Sequence, residues 1–399
     1  MKYIVLVCDG MADHPVAELD GRTPLEAAKT PNMDFIAKHG IVGRVKTIPD
    51  KAVPGSDVAN INILGYNPKE YYTGRGPLEA VNLGVTLEEG DVAFRCNLVT
   101  VMNDKMSDYS AGHISSKEGK TLMHFVDEHL GNARIKFYPG ISYRNLLVIK
   151  KGADDLLDEV QCRPPHDISG QDINRHLPQG KRADILLKLM QDSRKILTKH
   201  EINQVRLDLK ENPANMIWLW GQGKKPSMPT FKEKYGLSGS VISAVDLIKG
   251  LGIILGLDVI NVPGATGYYD TDYLGKANAA VKSLKDKDFV FVHLEAADEA
   301  GHNGDLREKI LAIERFDQMV VGTLLKAFHE GQNFRILVLP DHATPVALKT
   351  HTSDVVPFEM YGKDIDAKGF AGYNESQALK SELYFDKAFD LMNYLINLK

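Results

Sequence analysis

Cysteine is scarce in this chain. The three present among 399 residues, Cys8, Cys96 and Cys162, stand far apart and form no CxxC pair. That excludes a disulfide framework or a zinc knuckle and fits reduced thiols in a cytoplasm. Long apolar runs are missing too. None approaches the roughly 18 to 20 residues of a membrane helix, and the N-terminal MKYIVLVCDG meets Asp9 too early for a signal peptide. There is no basic excess: the formal net charge is −5, so no nucleic-acid partner is expected and any phosphate site must be built locally. No GxxxxGK[ST] loop is present either. GQGKKP, with Lys224 and Lys225, has the wrong spacing, which excludes the P-loop way of holding ATP and nothing more; those lysines also fit a solvated turn. With 43% hydrophobic and 25% charged residues, the expectation is a cytoplasmic globular protein with no membrane partner.

What is present reads as two domains, since the chain is too long for one ordinary core. The runs YIVLVCDG, DFVFVHLEAAD and FRILVLPDH lead to Asp9, Asp298, and Asp341 with His342. Helical patterns lie between them, in SVISAVDLIKGLGIIL and TDYLGKANAAVKSLKD. Continuous β-branched runs alternating with helices predict a mostly parallel sheet sandwiched by helices, and ligands bind beyond the carboxyl ends of such strands. The middle has another texture: a strand-like DVAFRCNLVTV, a capping box from Ser115 to Glu118, two strands in RIKFYPG and YRNLLVI, and the loop CRPPHDISGQDINRHLPQGK. It predicts a smaller α+β domain, residues 87–185, inserted into a core domain of residues 1–86 and 186–399.

In VPGSDVAN, Ser56 follows Pro-Gly where a loop becomes a helix. Two roles fit: an N-cap, or a nucleophile in the positive field of a helix N-terminus. DEAGH puts Asp298 and His302 at i,i+4 on one helical face, a common way to hold a divalent metal. Asp341 and His342 are adjacent at a strand end, His351 follows in KTHTSDVVPF, and Gly10 beside Asp9 lets backbone approach a ligand. Each has an ordinary structural role available: a turn, a polar helix start, a strand exit. Together they point to metal, because buried carboxylates and imidazoles without partners are costly. Mixed Asp/His sets suit manganese, zinc or iron better than magnesium.

In this order, DG, PGSD, DEAGH, PDH and HTSDVVPF resemble the alkaline phosphatase superfamily. With RTPLEAAKTPNMD, LGYNP, GRGPLEA, DVAFRCNLVT and DYSAGHIS, the chain is similar, over most of its length, to the cofactor-independent phosphoglycerate mutases of the archaeal type. The resemblance implies an alkaline phosphatase-like α/β core and two divalent ions, manganese first, with zinc, cobalt or magnesium as alternatives, and no 2,3-bisphosphoglycerate. One ion would be held by Asp298, His302 and His351, the other by Asp9, Asp341 and His342, with Ser56 as its nucleophilic ligand. The implied activity is a glycolytic isomerase interconverting 3- and 2-phosphoglycerate through phosphoserine, acting as a monomer or small homo-oligomer.

Retaining glycerate calls for cationic clamps and exclusion of water, with the inserted domain as the natural lid. Clamp candidates are Arg75, Arg95, Arg144 and His113. Arg163, His166 and Asp167 form a second cluster, with His166 or Asp167 as proton carriers; a solvated surface role suits all seven equally in type. The sequence also resembles a bacterial branch proposed as homoserine kinases, which would share the metals and Ser56. A metal phosphatase and a silent binding protein on the same fold are further alternatives, whereas the sulfatase signature C/S-x-P-x-R is absent around Ser56.

Overall fold

The computed structural model describes residues 1–152, 156, 160–328 and 333–398. The chain divides into two compact units, one of residues 1–72 and 228–399 and the other of residues 73–227. Among the described residues no helix is long and apolar enough to cross a membrane.

The first unit is a mixed α/β structure around an eight-stranded sheet. Its strands lie in the order Asp258–Val259, Gly239–Ile242, Phe289–Leu294, Lys2–Cys8, Phe334–Leu339, Val356–Gly362, Ile41–Val45 and Tyr384–Phe385. Neighbours run parallel, except that Val356–Gly362 is antiparallel to both of its own. The central strand explains the covering of both faces. Ile4 and Leu6 point one way and Val5 and Val7 the other, and all four are fully buried. The Ile4 side joins Val292 and Val338 in a core with Met33 and Ile36, Ala277 and Ala280, and Ile313 and Phe316 from three helical segments. Helix Ser56–Ile63 packs separately against Asp246–Ile254 and Ala388–Asn397. One expectation changes here. The helical pattern predicted over residues 240–255 is helix only over Asp246–Ile254, because Val241 and Ile242 are taken into the sheet beside Phe291 and Val292.

The second unit is α+β with a wholly antiparallel sheet. The long strand Val92–Met102 pairs with Arg144–Ile149, with Lys105–Asp108 and with Met216–Gly223, and Ile135–Ile141 pairs with Arg144–Ile149. Helices Ser116–Leu130 and Ala183–Leu197 bury Leu122, Met123, Leu186 and Met190 with Phe94, Cys96 and Leu147. Helix Arg75–Asn82 places Ala80 against Ala93, Leu146 and Val148. This unit is therefore wider than the 87–185 expected from sequence. Residues on both sides belong to it because that helix covers its sheet and Met216–Gly223 pairs along its longest strand.

Candidate active site

Three parallel neighbours of the first unit lie side by side, and each delivers acidic or imidazole groups at or just beyond its carboxyl end. Asp9 follows Lys2–Cys8, His293 is near the end of Phe289–Leu294, and Asp341 and His342 follow Phe334–Leu339. Asp298 and His302 come from helix Ala296–Asn303, on successive turns of one face. Close packing of these loops depends on Gly10. Its φ is +64°, and a Cβ there would stand 2.6 Å from the Asp298 Cα and 2.7 Å from the Thr344 Oγ1.

Two groups of donors result. In one, Asp298, His342 and His351 converge. His302 adjoins it, its Nε2 2.9 Å from His351 Nε2 and 3.3 Å from Asp298 Oδ2, while His351 Nε2 is 3.4 Å from Asp298 Oδ1. Two imidazole nitrogens facing each other share at most one proton, so a cation suits the pair. In the other group Asp9, His293 and Asp341 converge, all fully or nearly fully buried. His342 Nε2 reaches toward this group as well, 3.5 Å from Asp9 Oδ1 and 3.6 Å from Asp341 Oδ2. Asp341 is fixed by Asn60 Nδ2 at 2.9 Å and by the His342 backbone N–H at 3.0 Å.

The donor chemistry fits divalent ions. Asp9 Oδ1 and His293 Nε2 are buried with no hydrogen-bond partner among the described residues, which is costly unless something else satisfies them. Burial and the adjoining Asp341 push the Asp9 carboxyl well above the usual carboxylate range: two carboxylates this close cannot both ionise cheaply without a cation. Burial also acts on the imidazoles. It lowers His342 to about 4, with Asp341 opposing and the other imidazoles assisting, so that ring stays neutral and keeps a lone pair. At His302 burial is outweighed by Asp298, and its pKa rises to about 9.

Ser56 is the first residue of helix Ser56–Ile63, and the N-cap position belongs to Gly55. Its hydroxyl lies 3.1 Å from His342 Nε2, and its carbonyl accepts from Asn60 Nδ2 at 2.8 Å. The serine therefore sits one position inside the helix, facing the donor groups.

The second unit gathers most of the other residues singled out from sequence. Arg95 and Arg75 lie over the Trp220 ring, their guanidinium carbons 4.8 and 5.5 Å from its centroid, and both bond Glu79. Arg95 is only 2% exposed, so it braces this cluster rather than presenting its charge. His166 meets Trp220 edge-on, Tyr109 meets both His166 and Tyr143, and Tyr143 is flanked by His113 and Arg144. Asp167 lies 3.7 Å from His166 Nε2. Arg163 is exposed and contributes its carbonyl, which accepts from Trp218 Nε1.

His293 and Asn60 were not singled out from sequence. A lone histidine inside an apolar strand and an asparagine inside a helix carry no spacing signal. The one available hint was a histidine in a run that ends at a carboxyl end of the sheet.

Comparison with known proteins identifies the family. Residues 37–203 match the family model described as 2,3-bisphosphoglycerate-independent phosphoglycerate mutase. Proteins of that name from Methanosarcina barkeri and Methanosarcina acetivorans are each 52% identical, covering 100% of both chains in the first case and 99% of this chain and 100% of the relative in the second. A solved structure of a Pyrococcus horikoshii protein superposes with a TM-score of 0.84 at 30% identity, covering 100% of this chain and 97% of that one. The cofactor-independent phosphoglycerate mutase of Thermoplasma acidophilum gives 0.65 at 29% identity over 100% of both. With full-length relatives at this level of identity, the chain belongs to the 2,3-bisphosphoglycerate-independent phosphoglycerate mutase family.

Proposed function

We propose that this protein interconverts 3-phosphoglycerate and 2-phosphoglycerate through a phosphoserine at Ser56. The observation carrying the reading is the Ser56 hydroxyl at the first turn of a helix, 3.1 Å from His342 Nε2 and facing two clusters of metal-type donors. Asp298, His302 and His351 would hold one divalent ion and Asp9, Asp341 and His342 the other, with manganese the best match to mixed carboxylate and imidazole donors. Such ions, when bound, lower the serine pKa and neutralise the transferring phosphoryl oxygens.

The chain's own groups supply the rest. The Ser56 oxygen forms the new P–O bond as the bond to the substrate's 3-oxygen breaks, and that oxygen takes up the proton the serine gave up. The positive end of the helix that begins at Ser56 favours the negative charge of the phosphoryl group. In the second half the 2-hydroxyl of the same glycerate attacks phosphoserine, and Ser56 regains its proton. Neither water nor a second substrate enters the balance. Retention of glycerate calls for cations that grip its carboxylate, and Arg75 and Arg144, with His113 and Arg163, are the candidates of the right type. Arg75 shares Trp220 and Glu79 with Arg95. His166, with Asp167 beside it, moves the hydroxyl proton.

Phosphorus NMR of the manganese-loaded protein with 3-phosphoglycerate, without 2,3-bisphosphoglycerate or nucleotide, tests this directly. The expected product is 2-phosphoglycerate with little free phosphate. Free phosphate alone would identify a phosphatase, and turnover only after adding ATP and homoserine would identify a kinase.

A further inference from the structure

We propose that His293 is a protein ligand of the cation held by Asp9 and Asp341, with Glu295 and Lys276 as positioning residues that aim its ring. The inference rests on the two-ion reading above and adds to it a residue outside the Asp, His and Ser set assigned there.

His293 is fully buried, in the strand next to the one that leads to Asp9. Its Nδ1 lies 3.3 Å from Glu295 Oε1. That carboxylate is held by the Ser243 hydroxyl at 2.8 Å, the Ala244 N–H at 3.1 Å and the Lys276 ammonium at 2.8 Å. Lys276 has no exposed surface and also donates to the His293 carbonyl at 3.0 Å. An ionised carboxylate only accepts, so the ring proton belongs on Nδ1 and the Nε2 lone pair is directed the other way.

There Nε2 faces Asp9 Oδ2 at 3.4 Å and Asp341 Oδ2 at 3.8 Å and, among the described residues, has no partner at hydrogen-bond distance. A ring nitrogen opposite two carboxyl groups in a fully buried setting needs a proton or a cation between them. A divalent cation between them turns all three contacts attractive. A carboxylate bonded to the far nitrogen of a metal-bound imidazole is a recurrent arrangement that fixes the tautomer and raises ligand basicity. Here the Lys276 charge balances Glu295, so the orienting carboxylate adds no net charge to the cluster.

Anomalous diffraction from crystals of the manganese-loaded wild-type protein locates the ions directly. The expected result is an ion at Asp9 and Asp341 about 2.1 Å from His293 Nε2. An ion bonded to both aspartates but more than about 3 Å from that nitrogen overturns this proposal and leaves the two-ion reading standing. No ion at either cluster overturns both. Manganese titration calorimetry of His293→Gln and Glu295→Gln gives an independent check. One of the two ions should bind at least about 10-fold more weakly in each. Wild-type affinity for both ions in both variants overturns the proposal. If His293→Gln fails to fold, the diffraction result decides.

Discussion

The two units handle charge in opposite ways. In the first, six acidic and imidazole groups sit at strand ends or on one helix, and Asp9, His293, Asp341 and His342 are almost wholly out of water. In the second, Arg144, His113 and His166 are exposed on turns and strand ends, and the buried Arg95 is matched by Glu79 and an aromatic face. Buried like charges are tolerable only where a counter-charge is part of the working protein. An exposed arginine beside an aromatic ring, such as Arg144 beside Tyr143, stays solvated. The first unit thus buries donors of the type that suit a cation, and the second exposes Arg144 beside an aromatic ring.

That contrast breaks most sharply at Ser56. Ser56→Ala should lower turnover by about 1,000-fold or more, with manganese stoichiometry and melting temperature nearly unchanged. Turnover above a thousandth of wild type would sink the phosphoserine route. Ion binding itself should depend on pH. Without an ion His302 holds its proton up to about 9, so manganese must displace that proton. Apparent affinity should therefore rise between pH 6 and 9, by up to about tenfold per unit for each proton released. Calorimetry in buffers of different ionisation enthalpy would count those protons; a pH-independent affinity would rule out His302 as a ligand. Arg144→Ala, in the second unit, should raise KM by about 10-fold, the value of one charge-assisted bond, and leave metal content untouched. A change in metal content instead would erase the division of labour.

The smallest effect concerns stability alone. Glu359 is fully buried in the sheet, both its carboxyl oxygens lack partners among the described residues, and burial, with Asp317 and Asp34 adding, holds its pKa well above the usual value. The folded state thus keeps a proton that the unfolded chain releases near pH 4.5. This contribution is fully present below that pH and is lost as pH rises toward the folded value. Glu359→Gln should melt a few degrees higher than wild type at pH 8 and close to it at pH 4. Equal melting temperatures at pH 8 would mean that the carboxyl finds a partner in solution.

Local signals explain what could be read from the sequence. The runs ending at Asp9 and at Asp341–His342 were legible because a fully buried strand is a continuous apolar run, and its end is where polar residues resume. Asp298 and His302 were legible because i,i+4 spacing is a property of the helix itself. The position of Ser56 was only half legible: PGSD fits a cap at Ser56 equally well, and only the backbone assigns that position to Gly55. His293 was not legible, since its meaning comes from Glu295, Lys276 and two aspartates that reach it through pairing between distant strands. The same non-local pairing set the width of the second unit, because nothing near Met216–Gly223 marks it as the partner of Val92–Met102.

The place of the first strand has a consequence for how the protein is made. Lys2–Cys8 is paired on one side from Tyr3 to Phe289 and on the other from Lys2 to Phe334. At about 5 to 20 residues per second, a ribosome needs about 15 to 60 s after making the first of these segments before either neighbour exists. Through that interval KYIVLVC is an apolar strand with two open edges, while residues 73–227, one unbroken stretch, can already close their own sheet. A chaperone that shields this strand while the rest of the chain is being made should therefore raise the yield of this protein more than one acting on the finished chain.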